Sequence, residues 1–223
     1  MLSISKLIMK SGSMVYQNIL SVLILSVIWS LLLVPFIFIL PLQTAVIYLL
    51  LMAFPATIAV FAAMHEKLKN SRVNIVAAFF KAFLKFYVRG FLVGLLITLI
   101  VTIPSATWYM YISTDGGYGM FLFSMVQTYL CGMFLISQVY TVGIIVMKDQ
   151  GVVKSMNDSI KWFVAKPTYT IGVFLQLLSV CVLLSLTVVG FFLLFIGIFA
   201  IFMINSVENV HAKKDEKLQV VQA

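Results

Sequence analysis

Long apolar runs separated by short clusters of charge dominate this chain. Four stretches, 11–64, 90–114, 116–147 and 167–207, contain no Asp, Glu, Lys, Arg or His. A hydrocarbon core of about 30 Å needs about 20 helical residues at 1.5 Å each. The two middle stretches therefore predict one span each, and the first and last predict two. One continuous helix over 167–207 would measure about 60 Å, twice the core. Pro41 divides the first stretch, because proline supplies no backbone donor and suits a tight turn. Gly190 divides the last. The predicted spans are 18–40, 42–64, 91–111, 120–147, 169–189 and 191–205. Pro55 falls inside the second and predicts a kink. The expected fold is an all-α membrane protein, a polytopic bundle of six transmembrane helices in three hairpins.

Composition agrees with lipid as the solvent. Hydrophobic residues make up 63% of the chain and charged residues 10%, against roughly 25% charged in ordinary soluble domains. A water-soluble fold cannot hide that much apolar surface. Orientation follows from the cations. All fifteen Lys and Arg fall in 1–17, 65–89, 148–168 and 206–223. The turns on the other side hold none, and their one charge is Asp115. The positive-inside rule then places both termini in the cytoplasm. Lys6 and Lys10 precede an apolar run far longer than the 7–15 residues of a signal h-region, so that run reads as a retained span.

The connectors carry patterns of their own. Asn74 is a helix cap for 75–89, in which Lys81, Lys85 and Arg89 recur on one face. Phe79, Phe80, Phe83 and Tyr87 cover much of the remainder. Such a helix fits the headgroup layer, with Lys81, Lys85 and Arg89 as lipid-headgroup contacts. It equally fits a plain extension of the third span. Lys85-Phe86-Tyr87-Val88 and Lys161-Trp162-Phe163-Val164 introduce the third and fifth spans, with Gly94 and Gly172 following. This reads either as a duplicated hairpin or as the ordinary basic-aromatic edge of a membrane span. The segment 208–223 reads as a polar, mobile tail.

Candidate chemistry is sparse. The net charge of +8 lies in clusters between apolar runs, a pattern for anionic headgroups and not for nucleic acid. Cys131 and Cys181 fall in apolar runs and read as small buried residues. His65 and His211 are far apart, and no spacing makes a zinc site. No catalytic, metal or cofactor residue is assigned, and the chain is expected not to be an enzyme. Gln43, Gln127, Gln138 and Gln176 are the polar residues of note within the spans. They fit a polar path for a neutral solute in a small transporter or channel. They also fit helix–helix hydrogen bonds of about 0.6 kcal/mol each.

Phe54-Pro55-Ala56-Thr57, followed by Ala59, Phe61 and Ala62, resembles the YesL-like family of small bacterial integral membrane proteins. An apolar first span with Trp29 and a basic connector with Phe79, Phe83 and Phe86 support the likeness, which covers roughly 14–100. That family has no settled biochemical activity. The resemblance implies a bacterial cytoplasmic-membrane protein with a non-enzymatic accessory or regulatory role in carbohydrate uptake. Its partners would be the lipid bilayer and a sugar ABC importer or another membrane protein. The resemblance brings no catalytic residue with it.

Overall fold

The computed structural model describes residues 3–114 and 116–222, with side chains as far as residue 210. The described residues form nine helices and no strand. They are α1 (Ile4–Gln17), α2 (Ile19–Ile39), α3 (Leu42–Lys69), α4 (Ile75–Ser113), α5 (Tyr118–Ser137), α6 (Thr141–Lys148), α7 (Val152–Ala165), α8 (Pro167–Ser185) and α9 (Val188–Gln222). Six apolar helical stretches are long enough to cross a membrane: α2, α3, α4, α5 with α6, α8, and Val188–Val210 of α9. The chain is a membrane protein by that measure. Its large exposed apolar residues, among them Phe38, Leu42, Leu122 and Leu183, are what lipid solvates.

The boundaries differ from the sequence expectation in five places, each with a local cause. The helix over 75–89 is not a separate element but the first part of α4. Arg89-Gly90 does not stop the helix, because Gly90 does not take the positive φ with which a glycine caps a helix end. The 14-residue α1 was not expected from hydropathy. It starts where Ser3 accepts from the Lys6 N–H at 3.4 Å, and it buries Leu7 and Ser11 one turn apart. The fourth span is interrupted at 138–140, where Val139 N–H donates to Ile136 O at 3.3 Å and Thr141 N–H to Gln138 O at 3.0 Å. These tighter i→i−3 bonds end α5. The turn between the last two spans lies at 186–187, not at Gly190. Thr187 closes it with backbone and hydroxyl bonds to the Leu184 carbonyl. The last helix runs on through most of the segment read as a tail. Asp115, and the side chain of His211, lie outside the described residues.

Helices α1, the start of α4, and α7 gather at one end, with the C-terminal ends of α3 and α6. We term it the basic end. Each of the three begins after Ser3, Asn74 or Gly151. Each buries its fourth residue (Leu7, Ala78, Ser155) and its eighth (Ser11, Ala82, Ser159). That spacing points one narrow stripe inward, and the small residues let the helices pack closely. Inside them, α3, α6 and the described part of α9 touch pairwise around Phe61, Met64, Tyr140, Ile144 and Met203, all fully buried.

Candidate functional site

The most tightly built region is the crossing of α3 and α4. Residues Phe54-Pro55-Ala56-Thr57 sit midway along α3, and Pro55 and Ala56 are buried. Opposite them, α4 presents Gly90 and Gly94. A β-carbon on Gly90 would stand 2.5 Å from the Pro55 Cα, and one on Gly94 would stand 2.6 Å from the Phe54 ring. Gly90 is thus what lets the two backbones meet, and Gly94, four residues on, leaves room for the Phe54 ring. Thr57 faces the other way. Its hydroxyl accepts from the Trp29 indole N–H of α2 at 3.2 Å and donates to the Ala53 carbonyl at 2.8 Å. The four-residue motif thus joins three helices, with Phe54-Pro55 on α4 and Thr57 on α2.

One turn toward the basic end, α4 carries the three cations expected at the headgroups. Lys81 is exposed. Lys85 donates to Asp149 Oδ2 at 2.9 Å, and Arg89 pairs with Oδ1 of the same carboxylate. Both also lie over the Phe86 ring, at 4.8 and 5.4 Å from its centroid. Asp149 follows α6 with φ of 49°, a left-handed conformation that Asp tolerates better than most residues. The hydrogen bonds from Lys85 and then Arg89 hold its carboxyl below its ordinary value of 3.8. Sequence reading missed this tie between α4 and the 149–151 connector. The signal was available, since Asp149 and Asp158 are the acidic residues of the basic stretch 148–168. Asp158 lies 3.8 Å from Lys148.

The four glutamines do not come together. Gln43 is exposed at the start of α3. Gln127 accepts from the Thr107 hydroxyl of α4 at 2.8 Å. Gln138 is buried at the α5–α6 interruption, where it accepts from Thr141 at 2.7 Å and donates to Ser137 at 3.1 Å. Gln176 is half-buried on α8. Among the described residues, crevices of about 480, 280 and 210 Å³ open at the surface, and no glutamine lines these. Other polar groups join helices in the same way. Ser26 of α2 accepts from the Gly197 N–H of α9 at 3.1 Å, and Ser30 donates to the Phe192 carbonyl at 2.8 Å. Asn205 of α9 donates to Ser11 of α1 at 3.2 Å.

Residues 15–106 match the family described as "Protein of unknown function, DUF624". The DUF624 stretch starts near the end of α1, takes in α2 and α3, and ends just past Pro104 in α4. It therefore contains Trp29, Phe54-Pro55-Ala56-Thr57, Gly90 and Gly94, the residues of the three-helix junction. No curated protein and no solved structure matches the chain.

Proposed function

We propose that this chain is a non-enzymatic membrane component that acts through protein contacts, as an accessory or regulator of carbohydrate uptake, in the YesL-like manner implied by its sequence. The observation carrying the reading is the α2–α3–α4 junction. Within residues 15–106 the chain forms a packing device, Trp29 on Thr57 and Gly90 on Pro55. A region so built fixes three helices relative to one another, which supports a role through contacts with a partner. The link to sugar import rests on the family resemblance. Affinity purification of the full chain in mild detergent tests it. Co-recovery of sugar ABC importer subunits is expected, and their absence from preparations that retain known membrane complexes overturns the reading.

The same proposal places the basic end in the bacterial cytoplasm, with three hairpins entering from it. Described cations of α1, α3, the start of α4, α6 and α7 all belong to that end, which supports this orientation. A reporter fused after Ala223 is expected to be active only in the cytoplasm.

A second reading, a small transporter for a neutral solute, is favoured by the interruption at 138–140. Discontinuous spans with unwound backbone are a feature of transporters. Reconstituted protein would then accelerate solute entry into liposomes. Equal entry into empty and loaded vesicles removes this reading for the solutes assayed.

A further inference from the structure

Away from the basic end the spans form an incomplete ring. Helices α8, α9, α2, α3, α4 and α5 pack each on the next, but α5 and α8 touch only sparsely. The bonds that tie the two sides of this gap lie toward the basic end. Ser159 of α7 donates to the Ser137 carbonyl at 2.5 Å, and Tyr140 meets Thr170 at 3.3 Å. Beyond them α5 buries only Ser124, and α8 buries nothing past Val173. Beside the gap a crevice of about 210 Å³ opens between α8 and α9, among Phe174, Leu178, Cys181, Phe195 and Phe199, with Val139 of the α5–α6 interruption at its edge. Its walls are apolar, so filling it with an acyl chain would strip water from no polar group.

On its other side α5 is fastened to the far part of α4. Thr107 donates to Gln127 and the Trp108 indole to Thr128, each at 2.8 Å. The rings of Trp108, Tyr111 and Phe121 pack together at 5.7–5.9 Å. This arm, residues 104–114 and 116–137, is bounded at both ends by breaks in helical bonding. Pro104 removes the N–H that would bond the Ile100 carbonyl. That carbonyl takes instead the Cys131 thiol, a weak donor at 3.9 Å. At the other boundary lies the interruption 138–140. By contrast, α8 has no proline or break in its interior and packs along α9.

We propose that the far part of α4 and α5 pivot as one arm about Pro104 and 138–140, opening and closing the gap between α5 and α8. Two weakened points flank a segment that is bonded internally and, among the described residues, shows no hydrogen bond from α5 to α8. That is the arrangement of a hinged element.

The full chain in lipid nanodiscs, with Cys131→Ser and Cys181→Ser, tests this by spin-label distance measurement. Labels at Leu130→Cys and Leu178→Cys span the gap, and labels at Tyr109→Cys and Tyr129→Cys lie within the arm. The gap pair is expected to give two distance maxima and the arm pair one. Pro104→Ala is expected to reduce the gap pair to a single maximum. A single gap maximum as narrow as that of the arm overturns the proposal, as do two maxima within the arm. If the Pro104→Ala chain does not elute as a single species, the comparison of the two pairs with Pro104 present decides alone.

Discussion

Gly90 faces the backbone of Pro55 so closely that no β-carbon fits between them. An added methyl would lie 2.5 Å from the Pro55 Cα and 2.7 Å from its nitrogen. Neither atom belongs to a flexible side chain, so the helices themselves must separate. In an exposed helix interior, Gly→Ala gains about 0.5–1 kcal/mol. At Gly90 overpacking, which typically costs about 1–3 kcal/mol, outweighs that gain. Gly90→Ala is expected to lower the melting temperature in detergent. Gly132→Ala on α5, with nothing within 4 Å of the new methyl, is expected to leave it unchanged or raise it. Equal responses of the two variants would refute the close-packed junction.

Trp29 and Thr57 offer a second probe of the same junction. Thr57→Val removes the acceptor of the indole N–H while keeping the shape, and Trp29→Phe removes the donor. A hydrogen bond between membrane helices contributes about 0.6 kcal/mol. Each single variant is expected to destabilise modestly, and the double variant by less than the sum. Strict additivity in a double-mutant cycle would show that the 3.2 Å contact contributes nothing.

These residues mark where the sequence was legible and where it was not. Apolar runs of 20 or so residues announce spans because lipid leaves few alternatives, and six candidate spans are present. The motif at 54–57 was visible as a string, but its partner Gly90 lies on another helix. A string carries no record of which helix will cross which. Lys85 and Arg89 show a related limit. Their helical spacing gives a basic face, yet whether that face meets headgroups or a carboxylate depends on where Asp149 arrives. The amphipathic α1 was hidden because its inward stripe includes a serine. Ser11 becomes a buried residue only once Asn205 bonds it.

The Asp149 carboxylate predicts a pH dependence of definite sign. Its folded value lies below the ordinary 3.8 because Lys85 and Arg89 bond the charged form. A depressed value stabilises the fold above the unfolded-state value, and that stability is lost as pH falls through the folded value. The tie between α4 and the 149–151 connector is therefore complete above about pH 5 and fades below 3.8. Wild type is expected to melt above Asp149→Asn at pH 7, with the two curves converging in strong acid. The effect is modest, because the carboxylate is half exposed and water screens the pair. A gap between the curves that persists in acid would assign the effect to something other than this charge.

Asn205 gives the last prediction, because burial and bonding there pull the same way. Its amide is buried on α9 and donates to the Ser11 hydroxyl at 3.2 Å and to the Met14 sulfur at 3.2 Å. Ser11→Ala removes the better acceptor and leaves a buried N–H with only a thioether, which accepts weakly. Leaving a buried polar group unsatisfied costs about 1–3 kcal/mol. Pairing Ser11→Ala with Asn205→Leu replaces both partners by apolar groups, and such replacements can be nearly neutral. The single variant is therefore expected to unfold at a lower temperature than the double variant. Limited proteolysis then tells whether α1 is what has been released. Early cleavage between Lys6 and Lys10 is expected in Ser11→Ala and not in the double variant. If both variants are cut as slowly as wild type, the contact does not hold α1 against α9.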